Sequence, residues 1–195
     1  TIITNRSTAI LGFVSDKFDM TFPTEVSIPL LKEVKSQAPK AVCVVEPVNV
    51  STNIIVNSSS PPFDNIDIRR ALALALDRKA FVSILFEGQA DIGGVMLPAP
   101  GGLWAMPKEM LESIPGYGPD VNANREEARK LMQKAGYGPD KRLAVKISTR
   151  NIPIYRDPAV ILIDQIKSIY IDGELDVVDT AQWFPKVARK DYSLG

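Results

Sequence analysis

At 195 residues, 45% of them hydrophobic, the chain is long enough to bury one sizeable core, and its length fits one domain or one domain with a piece of another. Lys and Arg number 23 and Asp and Glu number 23, so the formal charge is zero and no face is evidently built for nucleic acid or an anionic membrane. Histidine is absent, which removes the usual neutral-pH general base, the Ser–His and Cys–His nucleophile pairs and imidazole metal sites.

Residues 6–14 read as the end of a helix and 19–22 as a short strand. Over 28–37 the apolar residues Ile28, Leu31 and Val34, followed by Ala38, recur at helical spacing, and the helix stops before Pro39. Val and Ile dominate 40–46 and 53–57, which read as two strands separated by a short loop. Cys43, the single cysteine, lies in the first of these as a small buried residue rather than a reactive thiol. An intramolecular disulfide is impossible, and cysteine usage says little about compartment. Three serines and two prolines at 58–62 follow a strand and precede a strong helix start, so a structural boundary is expected between Asn57 and Pro62, with residues 1–56 in the first part.

Phe63 at N′, Asp64 at the N-cap, Asp67 at N3 and Ile68 at N4 form an acidic variant of the capping box with a hydrophobic staple. They open a helix expected over 66–86, apolar on most sides and so mostly buried. Arg69, Arg70 and Asp77 on it are read as structural, making ion pairs or hydrogen bonds that fix the helix. Residues 88–102, with five glycines and two prolines, read as an irregular loop, and 107–113 as a short helix. Asn124 and Glu127 form a second capping box before the stripe Ala128, Leu131, Met132 and Ala135, which ends at Gly136; Glu126 and Glu127 then sit in a first turn, where the helix dipole favours them. The repeated PGYGPD and AGYGPD, at 115–120 and 135–140, are turns; a phosphate-cradling loop would place its glycines between a strand and a helix start. Leu143, Val145 and Ile147 alternate with polar residues in a strand over 142–149. Asp157 and Pro158 start a helix that buries Ala159, Leu162, Ile163, Ile166 and Ile169; a strand at 174–180 and a short helix at 183–189 follow. From 142 onward the order strand, helix, strand, helix, strand implies an α/β lobe.

The run PPFDNIDIRRALALALDRKAFVSILFEGQ, from Pro61 to Gln89, resembles the long helix that follows the hinge in the family 5 solute-binding proteins of ABC importers, the dipeptide, oligopeptide and nickel group. The resemblance continues in order. NIIVN at 53–57 matches the extended segment ending in Asn, Gly93 to Pro107 a Gly- and Pro-rich passage, EEARKLMQKAGY at 126–137 a helix ending in Ala-Gly-Tyr, and Trp183 with KDYSLG at 190–195 a Trp followed by a strand start. It implies a periplasmic-binding-protein type II-like α/β lobe, a mixed sheet flanked by helices. Residues 1–58 would be a partial first lobe with the hinge strand and 59–195 a second lobe incomplete at its end.

The function implied is an extracytoplasmic receptor that captures a peptide or similar solute between two lobes and delivers it to the ABC permease in the membrane, with no cofactor and no metal. Direct nickel–imidazole ligation by this segment is excluded by the absence of His. No apolar run approaches the roughly 20 residues of a membrane span. Nothing at Thr1 looks like a signal peptide, so the periplasmic or extracytoplasmic location rests on the resemblance. The chain starts and stops inside patterns and reads as a fragment of a longer protein. Exposed strand edges such as 40–46 would then invite it to dimerise.

Three residues are candidates for the ligand cleft, which needs aromatic platforms and a few fixed polar groups. Trp104, in the Gly/Pro-rich loop, could stack on a ligand or anchor its own loop. Arg150, after the strand at 142–149, could take a ligand carboxylate bidentately or form a surface ion pair, with Asp157 the nearest choice. Tyr155 beside it carries the same two readings. The competing class is a small α/β enzyme or regulatory domain using carboxylate chemistry; no compact catalytic constellation is visible for it.

Overall fold

The computed structural model describes residues 3, 5–21, 26–46, 51–93 and 105–195. α1 (Arg6–Val14) is capped by Asn5, whose side-chain oxygen accepts from the Thr8 N–H at 3.0 Å, and α2 (Ile28–Gln37) carries a Pro in its first turn and buries Val34. Both helices lie where sequence spacing puts them. The strands expected at 19–22 and 40–46 are corrected. Residues 19–21 and 41–46 are irregular, Phe22 lies outside the described residues, and Val42 is 90% exposed. A Val-rich segment becomes a strand only beside a partner that takes its backbone groups, and among the described residues no ladder or bridge involves 41–46. The strand edge from which dimerisation was expected is therefore not formed, and Cys43 is half-buried rather than buried.

Next come α3 (Ile66–Ala75) and α4 (Arg78–Phe86), in place of the single helix expected over 66–86. The break is made by Asp77, whose carboxylate caps α4 by accepting from the Ala80 N–H at 3.0 Å. Its backbone N–H donates to Gln165 Oε1 at 2.8 Å and its carbonyl accepts from Gln165 Nε2 at 3.2 Å, so a buried side-chain amide stands in for the helix bonds that the break gives up. At the start of α3 the cap is Asn65 rather than Asp64. Asn65 Oδ1 accepts from the Asp67 N–H at 2.8 Å, while Asp64 donates its backbone N–H to the Ser60 carbonyl in the preceding turn. Arg69 donates to the carbonyls of Phe63 and Asp64 at 2.6 and 3.0 Å, the structural role its position suggests.

α5 (Lys108–Glu112) is the short helix expected there, and α6 (Val121–Lys134) begins before the expected Asn124 cap because Asp120 caps it first, accepting from the Ala123 N–H at 2.9 Å. Glu126 and Glu127 consequently lie beyond the first turn, and Glu127 meets Lys130 at 3.6 Å. The end of α6 is a Schellman cap. Gly136, at φ +88°, donates to the Gln133 carbonyl, and Tyr137 donates to that of Met132. Asp67 on α3 and Lys134 on α6 are joined at 2.8 Å.

β1 (Leu143–Arg150), α7 (Pro153–Lys167), β2 (Ile171–Val178) and α8 (Thr180–Ala188) complete the order. α7 starts at Pro153 rather than after Asp157, leaving Pro158 inside the helix, and α8 is capped by Asp179. β1 and β2 are parallel, with Leu143 beside Ile171 and Arg150 beside Val178. Leu194 bridges in parallel to Ile147 on the other side of β1 and antiparallel to Val56, and Ile55 and Gly195 exchange both backbone hydrogen bonds at 2.7 and 2.9 Å. Residues 55–57 thus stand in the same sheet as β1 through 193–195. The boundary expected between Asn57 and Pro62 therefore follows a segment that pairs with 193–195.

The core lies between that sheet and α3, α6 and α7. Ile68, Ala71, Leu72 and Ala75 occupy one face of α3 at i, i+3, i+4 and i+7, Ala128 and Met132 face them from α6, and Leu143, Val145 and Ile147 form the inward side of β1. Phe63 is fully buried among them, a burial that contributes roughly 1.5–3 kcal/mol.

Candidate functional site

Because β1 and β2 are parallel, both end at one edge of the sheet, and each is followed there by a helix, α7 after Arg150 and α8 after Val178. Ligands of open α/β sheets bind outside the carboxyl ends of such strands. Alternation along β1 turns Leu143, Val145 and Ile147 to the core and α7. Lys146, Ser148 and Arg150 face the opposite side, where α8 lies.

Arg150 is half-buried at the last position of β1. Its guanidinium carbon lies 4.9 Å from the centroid of the Tyr155 ring, in the first turn of α7, and 5.6 Å from that of Phe184 in α8. Both distances are within cation–π range, and the rings arrive from opposite faces of the sheet. Among the described residues Arg150 Nε is buried without a hydrogen-bond partner. The ion pair considered between Arg150 and Asp157 is corrected: Asp157 is held by its neighbour Arg156 at 3.3 Å, because α7 begins at Pro153 and both residues lie on its second turn. α7 has no acid in its first turn and no side-chain cap, so its positive end adds to the field at this edge. The arrangement suits an anion: a planar cation with five donors, no competing carboxylate among the described residues, and two aromatic rings that leave its charge intact.

A second polar group lies on the same sheet face away from this edge. Ser148 Oγ donates to Asp176 at 2.7 Å, and Lys186 Nζ lies 3.7 Å from Asp176 and 3.6 Å from Asp191, lining an open recess of about 290 Å³. Lys186 is shared between the two carboxylates, and the group reads as a device that fixes α8 to the sheet. Among the described residues no group of three or more His, Cys, Asp or Glu side chains is placed to hold a metal ion, and no helix is long and apolar enough to cross a membrane.

Of the three candidates, Arg150 and Tyr155 are brought together and Trp104 lies outside the described residues. Phe184 was not singled out by the sequence. The signal that could have found it is positional: in a strand–helix–strand–helix order, the helices after two adjacent parallel strands share one edge.

The profile of the family described as bacterial extracellular solute-binding proteins, family 5 Middle, matches residues 1–195. The periplasmic oligopeptide-binding protein OppA of Escherichia coli is 26% identical over 159 residues, covering 81% of this chain and 28% of that protein. Among solved structures, OppA of Haemophilus influenzae in complex with RPPGFSPFR matches with a TM-score of 0.80 at 22% identity, over 98% of this chain and 37% of that one. NikA of Brucella suis in complex with Fe(III)-EDTA matches with a TM-score of 0.73 at 14% identity, over 100% of this chain and 39% of that one. These likenesses establish the α/β fold of a type II periplasmic binding protein. The chain spans about a third of the length of the proteins it matches.

Proposed function

The chain belongs to the bacterial extracellular solute-binding proteins of family 5, and on that premise we propose that it forms most of one lobe of an extracytoplasmic receptor. The receptor captures a peptide or similar solute between two lobes and delivers it to the membrane permease of an ABC importer. The observation that carries this reading is the match of the family profile over the whole chain. Support from the site comes from Arg150, a cation with no carboxylate partner among the described residues, at the strand edge where an α/β lobe holds its ligand.

In this reading Arg150 takes a carboxylate of the solute and Tyr155 borders it. Trp104 adds a stacking platform, on its sequence setting alone. Residues 1–58 contribute part of the first lobe and the hinge strand, and 59–195 the greater part of the second. The pairing of 55–57 with 193–195 supports this reading as the contact by which a hinge strand would meet the second lobe. The carboxylate-only enzyme gains no support at this edge, where Asp157 is held by Arg156 and Asp179 caps α8.

Closure of two lobes on a ligand shortens a receptor. Small-angle scattering of the full-length protein should show a smaller radius of gyration when a mixed di- to nonapeptide pool is added, and no change with a pool of free sugars. An unchanged radius at saturating peptide contradicts the proposal.

A further inference from the structure

We propose that Phe184 and Tyr155 form an aromatic clamp that fixes the Arg150 guanidinium and selects carboxylates carrying an adjoining apolar or aromatic group. The clamp deepens the receptor reading and rests on it for the biological solute, although its geometry belongs to this chain alone. Arginine at a strand end is ordinarily mobile, and ordering its long side chain costs on the order of 2 kcal/mol of rotamer entropy. Here the guanidinium carbon is 4.9 Å from one ring centroid and 5.6 Å from another, and the rings come from helices on opposite faces of the sheet. Two rings within cation–π range hold the cation without taking its hydrogen bonds, so its donors stay uncommitted among the described residues, and an edge with two parallel N–H donors matches a carboxylate.

An arginine held by Asp or Glu would bring a competing anion to the site, whereas one held by rings does not. The rings also have surface to spare: Phe184 is 64% exposed and Tyr155 40% exposed. A substituent on the carbon next to the bound carboxylate therefore meets ring rather than water. That favours a bulky apolar group, such as the last side chain of a peptide, over hydrogen. Phe184 is a positioning residue as well as a wall, since without it the guanidinium keeps only one of its two ring contacts among the described residues.

The test follows the Arg150 Nε–H resonance by NMR in the full 195-residue chain, assigned by its loss in Arg150→Lys, with 3-phenylpropionate, 3-phenylpropionamide and acetate as probes. In the unsubstituted chain Nε–H should be shifted by the rings and slow to exchange. It should respond to 3-phenylpropionate at concentrations about tenfold below those needed for acetate or the amide. Phe184→Leu should return the resonance to the position of a free arginine and bring 3-phenylpropionate down to the level of acetate, while the β1 amides stay in place; Tyr155→Leu should do the same in part. Equal responses to the acid and its amide overturn the clamp, as does a Phe184→Leu chain whose Nε–H signal and probe ranking are unchanged. A Phe184-dependent response to the probe, together with silence of the full-length protein toward every peptide, would sink the receptor reading and leave the clamp standing.

Discussion

A guanidinium flanked by rings keeps its charge for an incoming anion, whereas one paired with a carboxylate has that charge neutralised. Arg150 is of the first kind, and Arg78 shows that the chain uses the device twice with different ends. Arg78 lies 3.8 Å from the Tyr117 ring centroid, yet it also donates to the Gly116 carbonyl, so its cation is committed to holding the turn after α5. Gly116 is the residue that makes this turn possible. Its φ is +88°, and a Cβ there would lie 2.2 Å from the Ala73 carbonyl oxygen on α3. Gly116→Ala should therefore cost about 2 kcal/mol or more, from left-handed strain and a backbone clash together. Gly118→Ala, whose nearest contact would be 3.7 Å, should stay within about 0.5 kcal/mol of the unsubstituted chain. Urea denaturation of the two variants decides; equal stability would contradict the packing of this turn against α3.

At the scale of elements, the joint between α3 and α4 depends on one side chain 88 residues away in sequence, Gln165 on α7. Gln165→Leu keeps the volume and leaves the Asp77 N–H and carbonyl without their partner, so it should destabilise the chain by about 1–3 kcal/mol and raise hydrogen exchange first at the α4 amides. A Leu variant as stable and as protected as the original would show that water serves the break equally well. The same joint shows what a sequence can and cannot display. Ile68, Ala71, Leu72 and Ala75 state their helix by spacing alone, as Leu143, Val145 and Ile147 state their strand. Nothing local reveals that Gln165 will receive the backbone of Asp77, so an apolar run over 66–86 reads as unbroken. Helix starts failed for a related reason: Asp120 competes with Asn124, and Pro153 with Pro158, and only packing decides which cap forms. The site was legible in part. Arg150 and Tyr155 follow a readable strand, while Phe184 joins them only because the parallel register sets Arg150 beside Val178 and starts α8 at that edge.

At the scale of the whole molecule, two ties among the described residues join the parts before and after the Ser/Pro turn. Asn57 is buried, and its side-chain amide donates to the carbonyls of Lys190 and Tyr192 at 3.0 and 3.1 Å, locking the strand of 55–57 to the segment that ends in Gly195; Lys32 of α2 forms an ion pair with Glu87 at the end of α4. The first tie is buried and specific, whereas the second is exposed and worth at most about 1 kcal/mol. In the proposed receptor, a hinge that opens and closes would be served by this pairing of a fixed strand with a weak outer contact. In the same proposed receptor, the Arg150 edge holds the carboxylate of a captured peptide. Calorimetric titration of the full-length protein and its Arg150→Ala variant with free-acid peptides tests it most directly. Binding should weaken by about 1.5–3 kcal/mol in the variant, roughly tenfold to a hundredfold, with the thermal midpoint unchanged. Peptides bound equally well by both proteins would contradict it.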